Sequence, residues 1–543
     1  MTTAINYTGR LQIVLMALWM GLMAGCTSEF ESLNTNPTGV TDEMANSDYA
    51  LLVSFLAQAQ RDIIPGDVGE YQLTNNLASD AYAGYLAAQN NFVGNSNNLT
   101  YNPVQGWYQA IWNDRYIKAM NPLYRVSEFV KDNTELSDVY AFAKLIKVAA
   151  MHRTSDKVGP IIYSQYNVQN SVGGVDYDDQ PAVYAQYFAD LDTVTSIFSE
   201  KEGQPSSTAL QKSDLGFGGN YQQLIRVANT LRLRLAMRVS MVDPALAKLQ
   251  GEKAMDPSNG GLLSENADNW LVALTGNHPL NILSAPTEWS DTRMGAPMQS
   301  FLLGYEDPRL PKYFLPAKDA AVRGKYQGIR SGINIDGKGR YNEYSELVTQ
   351  PSEMQLMVAA ESWFLKAEAA LRGWVGAGDA KTNYETGITK SLEQYGLGAE
   401  APAYINDATR RPAEYTDPKA ITAGENDVKS GSPYLSTVTI KWEEGISNDR
   451  KLERIITQKW LAIYPDGDEA WADYRRTGYP ILFPVVVNYS NGNIPTIPGI
   501  RRMPYPQREY DSNSAAVAKA VEMLGGPDNG GTRLWWDLED KRF

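Results

Sequence analysis

Apolar residues recur at three- and four-residue spacing along much of this chain, the period that gathers them on one face of an α-helix. Asp48–Arg61 places Leu51, Leu52, Phe55 and Ala59 on one side. Val139–His152 does so with Ala143, Ile146, Lys147 and Ala150, and Tyr184–Phe198 with Tyr184, Phe188, Leu191 and Thr195. In Tyr221–Val239 the stripe is Leu224, Ala228, Leu231, Leu235 and Val239, which leaves Arg226, Arg232, Arg234 and Arg238 for the surface. Met354–Arg372 and Ala380–Tyr395 read as a helical hairpin across the glycine-rich turn Gly373–Gly378. Leu452–Ala462 and Ala515–Leu524 complete the set. Between them run the aperiodic stretches Gly159–Gln180, Gly251–Gly295, Lys312–Gln350, Gly396–Gly431 and Tyr479–Tyr510. Loops of that length inside a folded body usually carry function. The pattern predicts a mostly α fold, a scaffold of helical pairs with an irregular loop-rich lobe.

One apolar run has a different meaning. Leu11–Gly25 follows Arg10, holds a single polar residue, Gln12, and ends in Ala24 and Gly25. It is shorter than the ~20 apolar residues a spanning helix needs, so 1–25 reads as a secretory signal. The next residue, Cys26, is the only cysteine in 543 residues. Met23-Ala24-Gly25-Cys26 resembles a bacterial lipobox, in which the cysteine is lipidated and becomes the mature N-terminus. The alternative is a plain cleaved signal with an incidental cysteine. Ser28, Glu29 and Glu31 resemble the signal that sends Bacteroidetes lipoproteins to the cell surface, with Phe30 interrupting the acids. Residues 26–45 lack periodicity and carry Asn, Pro and Gly, as a tether would, and 46–543 form the body.

Composition narrows the chemistry. A net charge of −14 argues against a nucleic-acid partner, which wants a basic stripe. One cysteine excludes an intrachain disulfide, and two histidines exclude a three-histidine zinc site. His152, beside Arg153 on an apolar helix, reads as structural, and His278 as a turn residue in Asn-His-Pro. Gly216-Phe217-Gly218-Gly219-Asn220 lacks the spacing of a phosphate cradle and reads as a tight turn that caps the next helix. Asp466-Gly467-Asp468-Glu469 and Asp176-Tyr177-Asp178-Asp179 could hold Ca²⁺ but lack the twelve-residue loop spacing. They read as a solvated loop and an acid-rich helix start, so no cofactor or metal is expected.

The richest binding signal lies between Asn75 and Trp112, where amides and rings crowd together. Rings stack on sugars or peptide side chains, and amides both donate and accept hydrogen bonds. The competing reading makes Trp107, Tyr108 and Trp112 the buried face of a helix. Trp289 is a second candidate. The expected ligand residues are Asn76, Asp80, Tyr82, Tyr85, Trp107 and Trp289, with no catalytic set.

Several segments, in order, resemble the SusD/RagB family of nutrient-binding outer-membrane lipoproteins. They are Phe30–Thr41, Gly218–Ser240, Asp307–Phe314, Ala359–Trp374, Ile455–Pro480, Arg501–Tyr510 and Gly530–Asp537. The resemblance implies four tetratricopeptide-like helix pairs, a loop-rich lobe holding the ligand, and a SusC-like TonB-dependent barrel as partner. It also implies that Trp460, Trp471, Arg475 and Arg476 pack helices or stitch them by ion pairs. The expected function is a non-enzymatic, lipid-anchored protein facing outward from the outer membrane. It would bind an oligosaccharide or peptide and pass it to the transporter. The rivals are a surface glycoside hydrolase, since a carboxylate pair is available among 63 acids, and a structural partner that only stabilises the barrel.

Overall fold

Helices form over most of the apolar-periodic segments, and their ends carry the side chains that helix ends require. Asp179 accepts from the Ala182 N–H to start Gln180–Glu200, and Asn220 from Gln223 to start Tyr221–Arg238. Ser447 and Asp379 do the same for Asn448–Ala462 and Ala380–Gln394. Each such cap satisfies an orphan donor and is worth about 1 kcal/mol. The computed structural model describes residues 49–540 and 543. The signal segment 1–25, Cys26 and the tether 26–45 lie outside the described residues. Val53–Phe543 form one compact unit with its own hydrophobic core.

Helices consecutive in the chain pack as pairs. Ser137–Val158 packs on Gln180–Glu200, Tyr221–Arg238 on Pro244–Met255, and Ala359–Leu371 on Ala380–Gln394. Close approach is built into the sequence at Gly251, where a Cβ would fall 2.2 Å from Trp374 Cζ3. The glycine run before Tyr221 is a turn, as expected: the Asp214 carboxylate accepts the N–H groups of Gly216, Phe217 and Gly219. A protein carboxylate fills the place that a phosphate would take.

Two expectations are corrected. The helix read over Met354–Arg372 begins only at Ala359, because Glu353–Met357 is a strand. Its residues alternate in burial, and it pairs antiparallel with Trp270–Ala273, inside a stretch read as loop. With Leu86–Ala88 and Thr292–Met294 the strands are, in chain order, β1 (Leu86–Ala88), β2 (Trp270–Ala273), β3 (Thr292–Met294) and β4 (Glu353–Met357). They form two ladders among the described residues, β1–β3 and β2–β4.

The second correction is larger. Arg232, Arg234 and Arg238 are fully buried, not on the surface. Carboxylates from other helices come to meet them. Arg234 holds Glu361 with two bonds, 2.8 and 2.6 Å, and Arg238 reaches Glu469 at 2.5 Å and Asp156 at 3.2 Å. Lys459 contacts Glu469 and Asp473 at 2.8 Å each and Glu361 at 3.4 Å. Arg476 grips Glu368 at 2.6 and 2.8 Å. Burial pushes Glu368 up, but Arg476 and Arg372 outweigh it and hold the carboxyl at about 2. The acids of 466–469 are thus a helix start whose charges serve this network: Asp466 caps Gly467–Thr477 and pairs with Arg153 at 2.7 Å. Trp471 carries the Arg475 guanidinium 3.6 Å from its ring centre, and the Trp460 indole donates to Ala83 O at 2.8 Å. These are the stitching roles the resemblance implied.

Candidate functional site

The β1–β3 ladder decides where the loops meet. It sets Ala88 opposite Thr292, so Trp289–Asp291 runs beside Gln89 and Asn90. The Gln89 amide donates to Ser290 O and, at 2.8 Å, to Ser290 Oγ. Gln72 donates to Asp291 Oδ2 at 2.9 Å, and Lys338 to Asp291 Oδ1 at 2.8 Å and to Trp289 O. The Trp289 N–H donates to Ile282 O at 3.2 Å. These bonds hold Ser290 at φ +49°, a left-handed conformation uncommon for serine. The Trp289 backbone is therefore fixed from both sides while the residue stays 39% exposed.

A second loop joins this surface. Phe92 and Trp107 meet edge to face with ring centres 5.7 Å apart. Val93, Gly94 and Asn95 are all left-handed, and Asn95 exchanges two 3.0 Å bonds with the Ile335 backbone. Ser290 Oγ donates to Asn342 Oδ1 at 3.0 Å. Residues 89–102, 286–291 and 335–342 thereby form one polar surface with rings set into it.

Of the expected ligand residues, Trp289 stands exposed on this surface, whereas Trp107 is half-buried, packed with Phe92 on Leu77, Ala81, Ala88 and Leu99. Tyr82 is half-buried, donating to Asn98 O at 3.1 Å beside the Trp471 ring. Asn76, Asp80 and Tyr85 are core residues, which corrects their reading as ligand-facing. Asn76 donates to Thr292 Oγ1 at 3.0 Å and so props β3. The Tyr85 hydroxyl bonds Trp460 O at 2.5 Å with the two rings stacked. Asp80 packs on the start of Gly467–Thr477, where a Cβ on Gly467 would lie 2.2 Å from its Oδ1. Burial first, then the Asp468 carboxylate, raise Asp80 well above the usual range. The rings and amides of 75–101 are concentrated because that segment threads between helix ends, not because all of them face solvent. Sequence reasoning passed over Gln72, Asp291, Lys338 and Asn342, which carry no local signal and meet only through the ladder.

A cavity of about 600 Å³ adjoins the surface through Ile282, with Arg61, Asp62, Asp67, Lys118 and Asn277 among its walls. Burial pushes Asp62 up to about 6 against the pull of Arg115, 3.1 Å away. The loop bearing Trp289 follows a short helix, Pro279–Ser284, whose cap is the buried His278. Its Nδ1 accepts the Leu280 N–H at 3.2 Å, and its ring meets Tyr71 edge-on. His152 is likewise buried, with Nδ1 on Val148 O.

Burial pulls His278 down to about 4. An unfolded histidine titrates near ~6.5, so between these values the unfolded chain binds the extra proton. The His278 contribution is complete above about pH 6.5 and is lost as pH falls toward 4. His278→Asn keeps an acceptor for the cap but cannot titrate. It should flatten the stability–pH curve in that window, as read from urea midpoints at several pH values. An unchanged slope would show that His278 does not set it.

With this geometry in place, the sequence comparison is decisive: the family described as "SusD-like: Susd and RagB outer membrane lipoprotein" matches residues 32–537. The chain belongs to the SusD-like family. Among solved structures, this SusD-like protein is similar to a chitin-binding SusD homologue from Flavobacterium johnsoniae, 39% identical with a TM-score of 0.84. That match covers 91% of this chain and 100% of the other. A SusD homologue from Bacteroides vulgatus is 33% identical, TM-score 0.84, over 92% of this chain and 100% of its own. One from Bacteroides thetaiotaomicron is 34% identical, TM-score 0.81, over 90% and 99%. No curated protein matches the chain. The helix pairs are the tetratricopeptide-like scaffold of SusD-like structures, and the family places the protein at the outer membrane as a lipoprotein. No helix among the described residues is long and apolar enough to cross a membrane.

Proposed function

We propose that this SusD-like protein captures a saccharide on the Trp289 surface and passes it, chemically unchanged, to a SusC-like TonB-dependent transporter. One observation carries the reading: an exposed indole on a backbone locked by its neighbours, ringed by Gln72, Asp291, Lys338 and Asn342. A preorganised ring offers a stacking face at little entropic cost, and the flanking polar groups orient hydroxyls and amides. The Flavobacterium johnsoniae homologue is chitin-binding. That makes oligomers of N-acetylglucosamine the first ligand to test, since an acetamido group offers both a methyl for a ring and an amide for the polar rim.

Residues 27–543, which keep the whole compact unit, should bind chitin oligosaccharides in calorimetric titration and return them intact after prolonged incubation. Shorter sugars in the mixture would overturn the binding-only reading in favour of a glycoside hydrolase. Binding of peptides with no response to any glycan would overturn the saccharide assignment. Affinity capture from outer-membrane extracts should recover a barrel of SusC-like sequence.

A further inference from the structure

A second cavity lies on the helical scaffold and shares no wall residue with the Trp289 surface or the cavity beside it. It is a half-open space of about 260 Å³ between Tyr221–Arg238, Ala359–Leu371 and the turn 257–264. The turn is fastened to the helices. Gln222 donates to Gly260 O at 2.9 Å, Asn229 to Asn259 O and Gly261 O at 2.6 and 3.1 Å, and the Leu263 N–H to Thr230 Oγ1 at 3.0 Å. The Trp363 indole donates to Ser264 O at 3.0 Å, so its ring is a fixed wall. Met255, Leu262 and Leu263 supply further apolar lining.

Charge is unbalanced in this space. Arg226 is matched by Asp268 at 2.7 Å. Lys366 is half-buried, its Nζ 4.8 Å from the centre of the Trp363 ring, and among the described residues it makes no ion pair. An ammonium that has given up part of its hydration for an aromatic face alone is under-compensated. An anion would supply the missing partner, and the apolar walls require that the anion carry a hydrocarbon body. At ~30 Å³ per water-sized group the space holds roughly nine of them, the size of a medium-chain carboxylate.

We propose that this cavity binds a small amphipathic carboxylate, its carboxylate on Lys366 and its hydrocarbon body against Trp363, Met255 and Leu262. The assignment is independent of the saccharide reading.

Residues 27–543 would be titrated with octanoate while tryptophan fluorescence is followed, with 1-octanol and acetate as the uncharged and tail-less comparisons. Octanoate should saturate and bind at least about tenfold more tightly than either comparison, each tenfold being one decade of Kd. Lys366→Gln should remove that advantage, Lys366→Arg should restore it, and Trp363→Phe should remove the fluorescence response while calorimetry still detects binding. Trp289→Ala should leave octanoate binding unchanged. Absence of saturation, equal binding of 1-octanol, or full binding in Lys366→Gln would each overturn the proposal.

Discussion

Trp289→Ala should weaken saccharide binding by roughly 30-fold or more, the effect of losing about 2 kcal/mol at a tryptophan hot spot. Phe92 and Trp107, the other rings of this region, are half-buried against Leu77, Ala81, Ala88 and Leu99, so neither replaces the contact area of Trp289. The fold should not notice the change. Trp289 is 39% exposed, and the contacts fixing the loop are its N–H to Ile282 O, its carbonyl accepting from the Lys338 ammonium, and side-chain bonds from Gln72 and Gln89. Calorimetry with chitin oligosaccharides beside a urea-unfolding midpoint separates the two effects. Trp289→Phe, which keeps a smaller ring, should fall between the parent and the alanine variant. Parent-like affinity in Trp289→Ala would move the ligand site elsewhere. A matched fall in midpoint would make Trp289 a packing residue instead.

Lys459→Met should cost about 3–5 kcal/mol of stability, the range for breaking a buried ion pair from one side. The ammonium stands among Glu361, Glu469 and Asp473, all buried. Methionine matches its length but leaves those buried carboxylates short of one positive charge, screened from bulk solvent. Arg234 and Arg238 still hold Glu361 and Glu469, whereas Asp473 keeps Arg476 at 3.1 Å and the longer 3.8 Å contact with Arg238. Equilibrium urea unfolding should show the midpoint moving down with the slope unchanged. Because Lys459 touches none of the Trp289 loops, saccharide affinity of the folded fraction should be preserved. A loss under 1 kcal/mol would mean that the remaining cations rebalance the cluster.

The helical scaffold was legible because a helix buries its stripe at a fixed period, whatever it packs against. Tyr221–Arg238 shows where that reading stops. Its leucines and alanines mark a helix correctly, yet the same stripe leaves its arginines to solvent, because a charged side chain is rarely buried unless it is paired. The partners, Glu361 and Glu469, lie more than a hundred residues away, and no local pattern reveals them. Glu353–Met357 shows a related limit: its polar–apolar alternation is only five residues long and runs into the helical stripe that follows, so its pairing with Trp270–Ala273 is what makes it a strand. At the Trp289 surface the local signal is composition, which names Trp107 and Trp289 together with the half-buried Tyr82 and the core residues Asn76, Asp80 and Tyr85. Rings and amides look alike in sequence whether they line a site or fill a core. Burial alone separates them.

By itself the sequence determined the elements that depend on neighbours in the chain. These are the helical stripes, their Asp, Asn and Ser caps, the turn before Tyr221, and the ordered segments shared with the SusD-like family. The tertiary structure alone decided which arginines are buried and which rings are exposed. It also joined Gln72, Trp289, Lys338 and Asn342 into one surface. The physical reason is distance along the chain. Capping and periodicity act over a few residues, whereas charge pairing and solvent exclusion are settled only when segments hundreds of residues apart are brought within a few ångströms.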